Sequence, residues 1–101
     1  MTDKTRNDHR PLAVATLQAE TARVKVTHWR FAPGAHTGWH RHEMDYVVVP
    51  ISSGALSLDD GTQVSKSGMT GGVSYARPAG VEHDVINAND FEFSFVEIEL
   101  K

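Results

Sequence analysis

The chain has 101 residues, ten basic and thirteen acidic side chains, a formal charge of −3 and no cysteine. That length predicts one domain with a modest core. Disulfide frameworks, zinc–thiolate sites and iron–sulfur clusters are excluded, no Lys/Arg block offers nucleic acid a basic stripe, and no apolar run approaches the ~20 residues of a spanning helix.

In chain order, residues 1–11 are polar and charged, which predicts a leader with neither secretory signal nor membrane anchor. The remainder, 12–101, reads as a single domain, and a small disulfide-free domain fits the cytoplasm. Residues 12–22 suit a helix or a strand equally. Residues 23–31 are β-rich, with Val24, Val26, Thr27, Trp29 and Phe31, and Pro33-Gly34 ends them. A short strand is expected at 39–42 and a buried one at 46–51. Residues 55–58 form a strand, Asp59-Asp60-Gly61 is a hairpin signal, and 62–64 return from it. Gly68, Gly71 and Gly72 mark a loop, 73–77 a strand stopped by Pro78, and 83–87 the next strand. In 91–100 the apolar positions run Phe91, Phe93, Phe95 and then change face to Val96, Ile98, Leu100. Such a switch predicts a bulge or a strand covered on both faces. Many short strands and almost no helix point to an all-β sandwich or barrel.

Two strings punctuated by glycine carry the chemistry. The first is Gly34, five residues, His40, one residue, His42; the second is Gly72, five residues, Pro78, Ala79, Gly80, two residues, His83, three residues, Asn87. Histidines at i and i+2 of a strand share a face, their Cα atoms roughly 6.5 Å apart. Both imidazoles can then reach one ion at ~2.0–2.1 Å, and a third histidine from a neighbouring strand completes the set. Gly34, Gly72, Pro78 and Gly80 supply turn geometry, and Asn87 is a candidate to bond turn backbone.

The two strings, in this order, resemble the two motifs of the cupin family. The resemblance spans Gly34 to Asn87, about half the chain. More narrowly, Trp29-Arg-Phe-Ala-Pro-Gly34, Thr37-Gly-Trp-His-Arg-His42 and Asp45-Tyr-Val-Val-Val-Pro50 resemble small bacterial cupins, some of them named for β-alanine degradation. The family implies an antiparallel double-stranded β-helix, or jelly-roll barrel, with a metal near its mouth. It implies His40, His42 and His83 as metal ligands. The family's fourth ligand is usually a carboxylate separated from the second histidine by three or four residues, where this chain has Tyr46 and Val47. Asp45 or Tyr46 is the candidate fourth ligand; without one, three histidines leave more positions for water or substrate.

The expected cofactor is a divalent transition metal, Fe, Mn, Ni, Co or Zn. The expected function is a metal-dependent enzyme on a small organic metabolite, by dioxygenase-like chemistry or by isomerase or lyase chemistry; the alternative is a non-catalytic binding module. Tyr46, Asp45 and Tyr75 are the catalytic candidates. Trp29, Phe31, Trp39 and Arg77 are pocket candidates, although aromatic residues in a small barrel are core by default. His9, His28 and His36 lack ligand spacing. Glu82 and Asp84 flank His83 and either orient it or face solvent. The expected partners are a small-molecule ligand and a second copy in a homodimer, with no nucleic acid and no membrane.

Overall fold

Alternation of side chains, two residues per period, builds this molecule. The computed structural model describes residues 9–101. Nine strands follow one another: β1 (Val14–Glu20), β2 (Val24–Phe31), β3 (His40–Arg41), β4 (Asp45–Pro50), β5 (Gly54–Asp59), β6 (Val64–Met69), β7 (Tyr75–Arg77), β8 (Glu82–Asn87) and β9 (Phe93–Leu100). Among the described residues there is no helix, hence none long and apolar enough to cross a membrane. One sheet has the order β1-β2-β9-β4-β7 and the other β3-β8-β5-β6. Every strand pair is antiparallel, and the fold is the expected jelly-roll, or double-stranded β-helix.

The larger sheet carries a gradient on its inner face. Its cross-strand rows begin apolar, with Phe31 opposite Phe93 and Trp29 opposite Phe95. The next row is Thr27, Glu97, Val48, Tyr75, and the one after it Lys25, Glu99, Tyr46, Arg77. Phe31, Phe93, Phe95, Val48, Leu56 and Val85 meet as the core between the sheets. The parity switch in β9 is therefore no bulge, because its register is unbroken against both β2 and β4. The inner face turns acidic at Glu97, and Val96 and Ile98 stand half-buried on the outer face.

Strand β1 resolves the ambiguity of 12–22. All seven residues are exposed, so no buried face imposes a period on the sequence. Of the leader, 1–8 lie outside the described residues. The rest is tied to the fold: Arg10 donates to the Gly34 carbonyl at 3.2 Å and the Pro11 carbonyl accepts from His36 N at 3.0 Å. The strand expected at 62–64 starts at Val64 instead and runs to Met69. Asp60 explains the shift, since its Oδ1 accepts from the backbone N–H of Thr62 and of Gln63, both at 2.9 Å, and holds them in the turn.

Asn87 knots the chain together from within. It is 2% exposed. Its Nδ2 donates to the carbonyls of Phe31, Ala32 and Phe91, at 3.2, 3.2 and 2.8 Å, and its Oδ1 accepts from Asn89 N at 2.9 Å. Each buried group left unsatisfied costs about 1–3 kcal/mol. Asn87→Ala is expected to lower the melting temperature by about 10 °C or more, with urea unfolding showing a lower midpoint at unchanged slope.

Candidate metal centre

Pairing between β3 and β8 assembles the site, with His40 directly opposite His83. Beyond this short ladder, His42 N donates to the Val81 carbonyl at 2.8 Å and Gly80 N donates to the His42 carbonyl at 2.7 Å. Gly80 can close that turn because its φ is +97°, a region costly for residues with a Cβ. The two glycine-punctuated strings are thus stitched backbone to backbone, and alternation sends all three imidazoles inward.

His42 Nε2 lies 3.1 Å from His40 Nε2 and 3.1 Å from His83 Nε2. The His40 Nδ1–H donates to the Gly38 carbonyl at 2.9 Å, which leaves its Nε2 as a bare lone pair. No placement of protons then makes both 3.1 Å contacts linear hydrogen bonds, because a proton on His42 can aim at only one neighbour. An ion 2.0–2.1 Å from each nitrogen sets them about 3.0 Å apart at right angles and about 3.4 Å apart at tetrahedral angles. The two 3.1 Å spacings fall within that range, so the three imidazoles fit a shared cation. Among the described residues these three form the one group of histidine, aspartate or glutamate whose ligand atoms converge this way.

Electrostatics favour the ligand form of the rings. Burial pushes His42 down to about 4, with His40 adding to the effect. Burial, then His40 and His42, push His83 down to about 3 against an opposing pull from Asp84. Both are neutral at pH 7, as coordination requires. The Tyr46 ring stacks on His42 with centroids 3.7 Å apart. Burial, followed by Glu97 and Tyr75, raises the Tyr46 phenol to about 12, and burial also raises Tyr75. Both tyrosines hold their protons at neutral pH.

The imidazoles open into a cavity of about 480 Å³. Trp29, Tyr75 and Arg77 line it, as do Val48, Leu56 and Phe95 at its apolar end. Phe31, a pocket candidate by sequence, belongs to the core at 0% exposure and packs on Phe95. Trp39 lies outside the lining, one residue out of phase with His40. Asp45 spends its Oδ1 on Ala79 N at 2.8 Å and does not join the trio. Tyr46 meets His42 with its ring face. Asp84 turns away from His83 and accepts from Gly38 N at 3.1 Å, with His36 Nδ1 at 2.9 Å from its Oδ2. Glu82 is exposed at the rim.

Sequence reasoning missed Glu97. Its Oε1 is 4.0 Å from His42 Nε2, and the side chain is only 11% exposed. Burial first, then Glu99, raises it to about 7 while Trp29 and Lys25 pull it down. With His42 neutral, the contact is not an ion pair. The Trp29 indole Nε1 is buried and completes no hydrogen bond, so it acts on Glu97 as a nearby dipole. The available signal was parity: Glu97 continues the inward series Phe93, Phe95.

Comparison with known proteins bears on the family and the fold. Residues 27–99 match the family model described as Cupin domain. The β-alanine degradation protein BauB of Pseudomonas aeruginosa is 53% identical over 92 residues, covering 91% of this chain and 97% of that protein. A crystal structure of a cupin domain from Bordetella pertussis is 60% identical, with a TM-score of 0.89 over 91% of this chain and 96% of that one. A conserved protein with a double-stranded β-helix domain from Klebsiella pneumoniae shares the fold at 19% identity, with a TM-score of 0.73 over 99% of this chain and 90% of that one.

The shifted groups set a pH dependence. Below pH 6.5 the unfolded chain protonates histidines that the fold keeps neutral, so the contribution of His42 and His83 is present above 6.5 and lost as pH falls towards about 4 and about 3. Glu97 runs oppositely: its contribution is full below 4.5 and lost as pH rises through about 7. Two histidines outweigh one glutamate between 4.5 and 6.5, so the melting temperature of metal-free protein should fall on acidification there. Melts between pH 7 and 4 check this, and Glu97→Gln should steepen the fall.

Proposed function

The chain belongs to the cupin family, and on that footing we propose that it is a metal-dependent enzyme acting on a small organic metabolite. The carrying observation is the trio of imidazoles, with the His42 Nε2 3.1 Å from the Nε2 of both His40 and His83, facing a cavity of about 480 Å³. His40, His42 and His83 would hold a divalent transition ion, which supplies Lewis acidity or, if redox-active, access to oxygen chemistry. The Pseudomonas relative is named for β-alanine degradation, and we carry that over as the metabolic setting.

The chain's own residues divide the remaining work. Hydrogen bonding of His40 to Gly38 fixes that ring and its tautomer. Tyr46 braces His42 by stacking and presents a phenol that stays protonated. Tyr75 offers a second phenol, over whose ring the Arg77 guanidinium lies 4.7 Å from the centroid. Glu97, with a proton affinity near neutrality, can accept a proton from a bound molecule or return one. Val48, Leu56 and Phe95 keep water from the closed end.

Protein purified without a histidine tag or chelator is expected to hold one divalent ion per chain. His40→Ala or His83→Ala should abolish that stoichiometry in elemental analysis. An ion at 100 times its Kd adds about 2.7 kcal/mol of stability, a rise in melting temperature of about 10 °C or more that His83→Ala should erase. Oxygen uptake by the Fe(II)-loaded protein with small metabolites supports the redox branch. Turnover without oxygen supports Lewis-acid chemistry, and binding with no turnover of any kind overturns the enzyme reading in favour of a binding module.

A further inference from the structure

An antiparallel sheet with one face in water normally alternates apolar inward and polar outward. The smaller sheet obeys: Leu56 and Leu58 face the cavity, and between them Ser57 stands opposite Lys66 on the outer face. The larger sheet does not. One outer row crosses all five of its strands as Ala19, Val26, Ile98, Val47 and Ala76. The row on one side sets Val96 between His28 and Val49, and the row on the other sets Leu100 between Val24 and Asp45. Leu100 is 44% exposed, and Val26, Val47, Val96 and Ile98 are left half-buried. In β9 the acids Glu97 and Glu99 line the cavity while the aliphatic side chains between them face outward.

We propose that a second copy of this chain docks here, outer face against outer face, about a two-fold axis passing between Val96 and Ile98. Residues 1–8 are a poor cover for the face, since Met1 is their one apolar residue. The area suits a second copy. With strands about 4.8 Å apart and alternate residues about 6.8 Å apart, the roughly fifteen outward positions cover about 500 Å². Two such faces bury about 1,000 Å², where specific interfaces begin. The charges suit it as well. Arg30 on β2 and Asp45 on β4 occupy diagonally opposite corners, with Val96 and Ile98 midway between them. A two-fold axis laid across that diagonal brings each copy's Arg30 to the other's Asp45 and sets no like charges together. The exposed pair of Arg30 with Glu92 at 3.5 Å is of a kind worth little, so exchanging it costs little. This interface is independent of whether the histidines hold an ion.

Sedimentation equilibrium at about 100 μM protein is expected to give twice the chain mass of 11.1 kDa. Ile98 belongs to neither the core nor the cavity lining, and Ile98→Lys puts a charge at the centre of the face. It should weaken the dimer about a hundredfold or more, with cooperative urea unfolding showing that the fold persists. Val64→Lys, at an exposed apolar position of the smaller sheet, should leave the dimer unchanged. If Ile98→Lys fails to fold, wild-type protein still decides. In dimers mixed from isotope-labelled and unlabelled copies, the Val96 and Ile98 methyls are expected to show NOEs to the other copy. A wild-type monomer overturns the proposal, as does a folded Ile98→Lys variant that dimerises as before. NOEs confined to β1 also overturn it and put the contact along the free edge of that strand.

Discussion

The antiparallel register of β3 against β8 is the constraint on which the rest depends. His40 faces His83 across that ladder, and the adjoining bonds from His42 N to Val81 and from Gly80 N to His42 extend it by a residue pair. Slipping either strand by one residue turns its imidazoles to the opposite face. The register is guarded from behind. Thr37 N donates to the Val85 carbonyl at 2.9 Å, and Asp84 holds His36 and Gly38 N on the far side of β8. The buried His36–Asp84 pair thus clamps the segment leading into His40.

Burial then acts on two kinds of group in opposite directions. Withdrawing His42 and His83 from water disfavours their charged forms and keeps both rings neutral, each able to offer a lone pair. Withdrawing Glu97 disfavours its anion and retains a proton near neutrality. Two imidazoles held neutral, a third whose Nε2 carries no proton, and one carboxyl with its proton weakly held make an environment suited to receive a cation and to exchange a proton beside it. The apolar end at Val48, Leu56 and Phe95 supplies the low polarity that produces both shifts.

The fold and the histidine trio were legible because each rests on a local rule. Runs of β-branched and aromatic residues marked β2, β4 and β9, and the His-x-His spacing required only that a strand carry it. What escaped the sequence depended on partners distant along the chain. Glu97 comes from β9, far from either motif, and acquires its role only from register with β4 and proximity to His42. Asp45 looked like the nearest carboxylate, yet it points to Ala79 because parity puts it opposite to Tyr46. Phe31 looked like pocket and is core, since rings at the start of the gradient meet rings. Strand β1 gave no period to read, having no buried face.

Strand β9 wears two complete costumes. One side runs Phe93, Phe95, Glu97, Glu99; the other runs Ser94, Val96, Ile98, Leu100. Deleting a single residue from the bend at 88–92 would exchange them. The benzyl rings would then surface, and a smooth aliphatic lining would replace the acids beneath the imidazoles. One codon in that bend therefore separates a chamber for charged guests from a greasy one, and it is there, more than around the histidines, that descendants of this barrel can change what they admit.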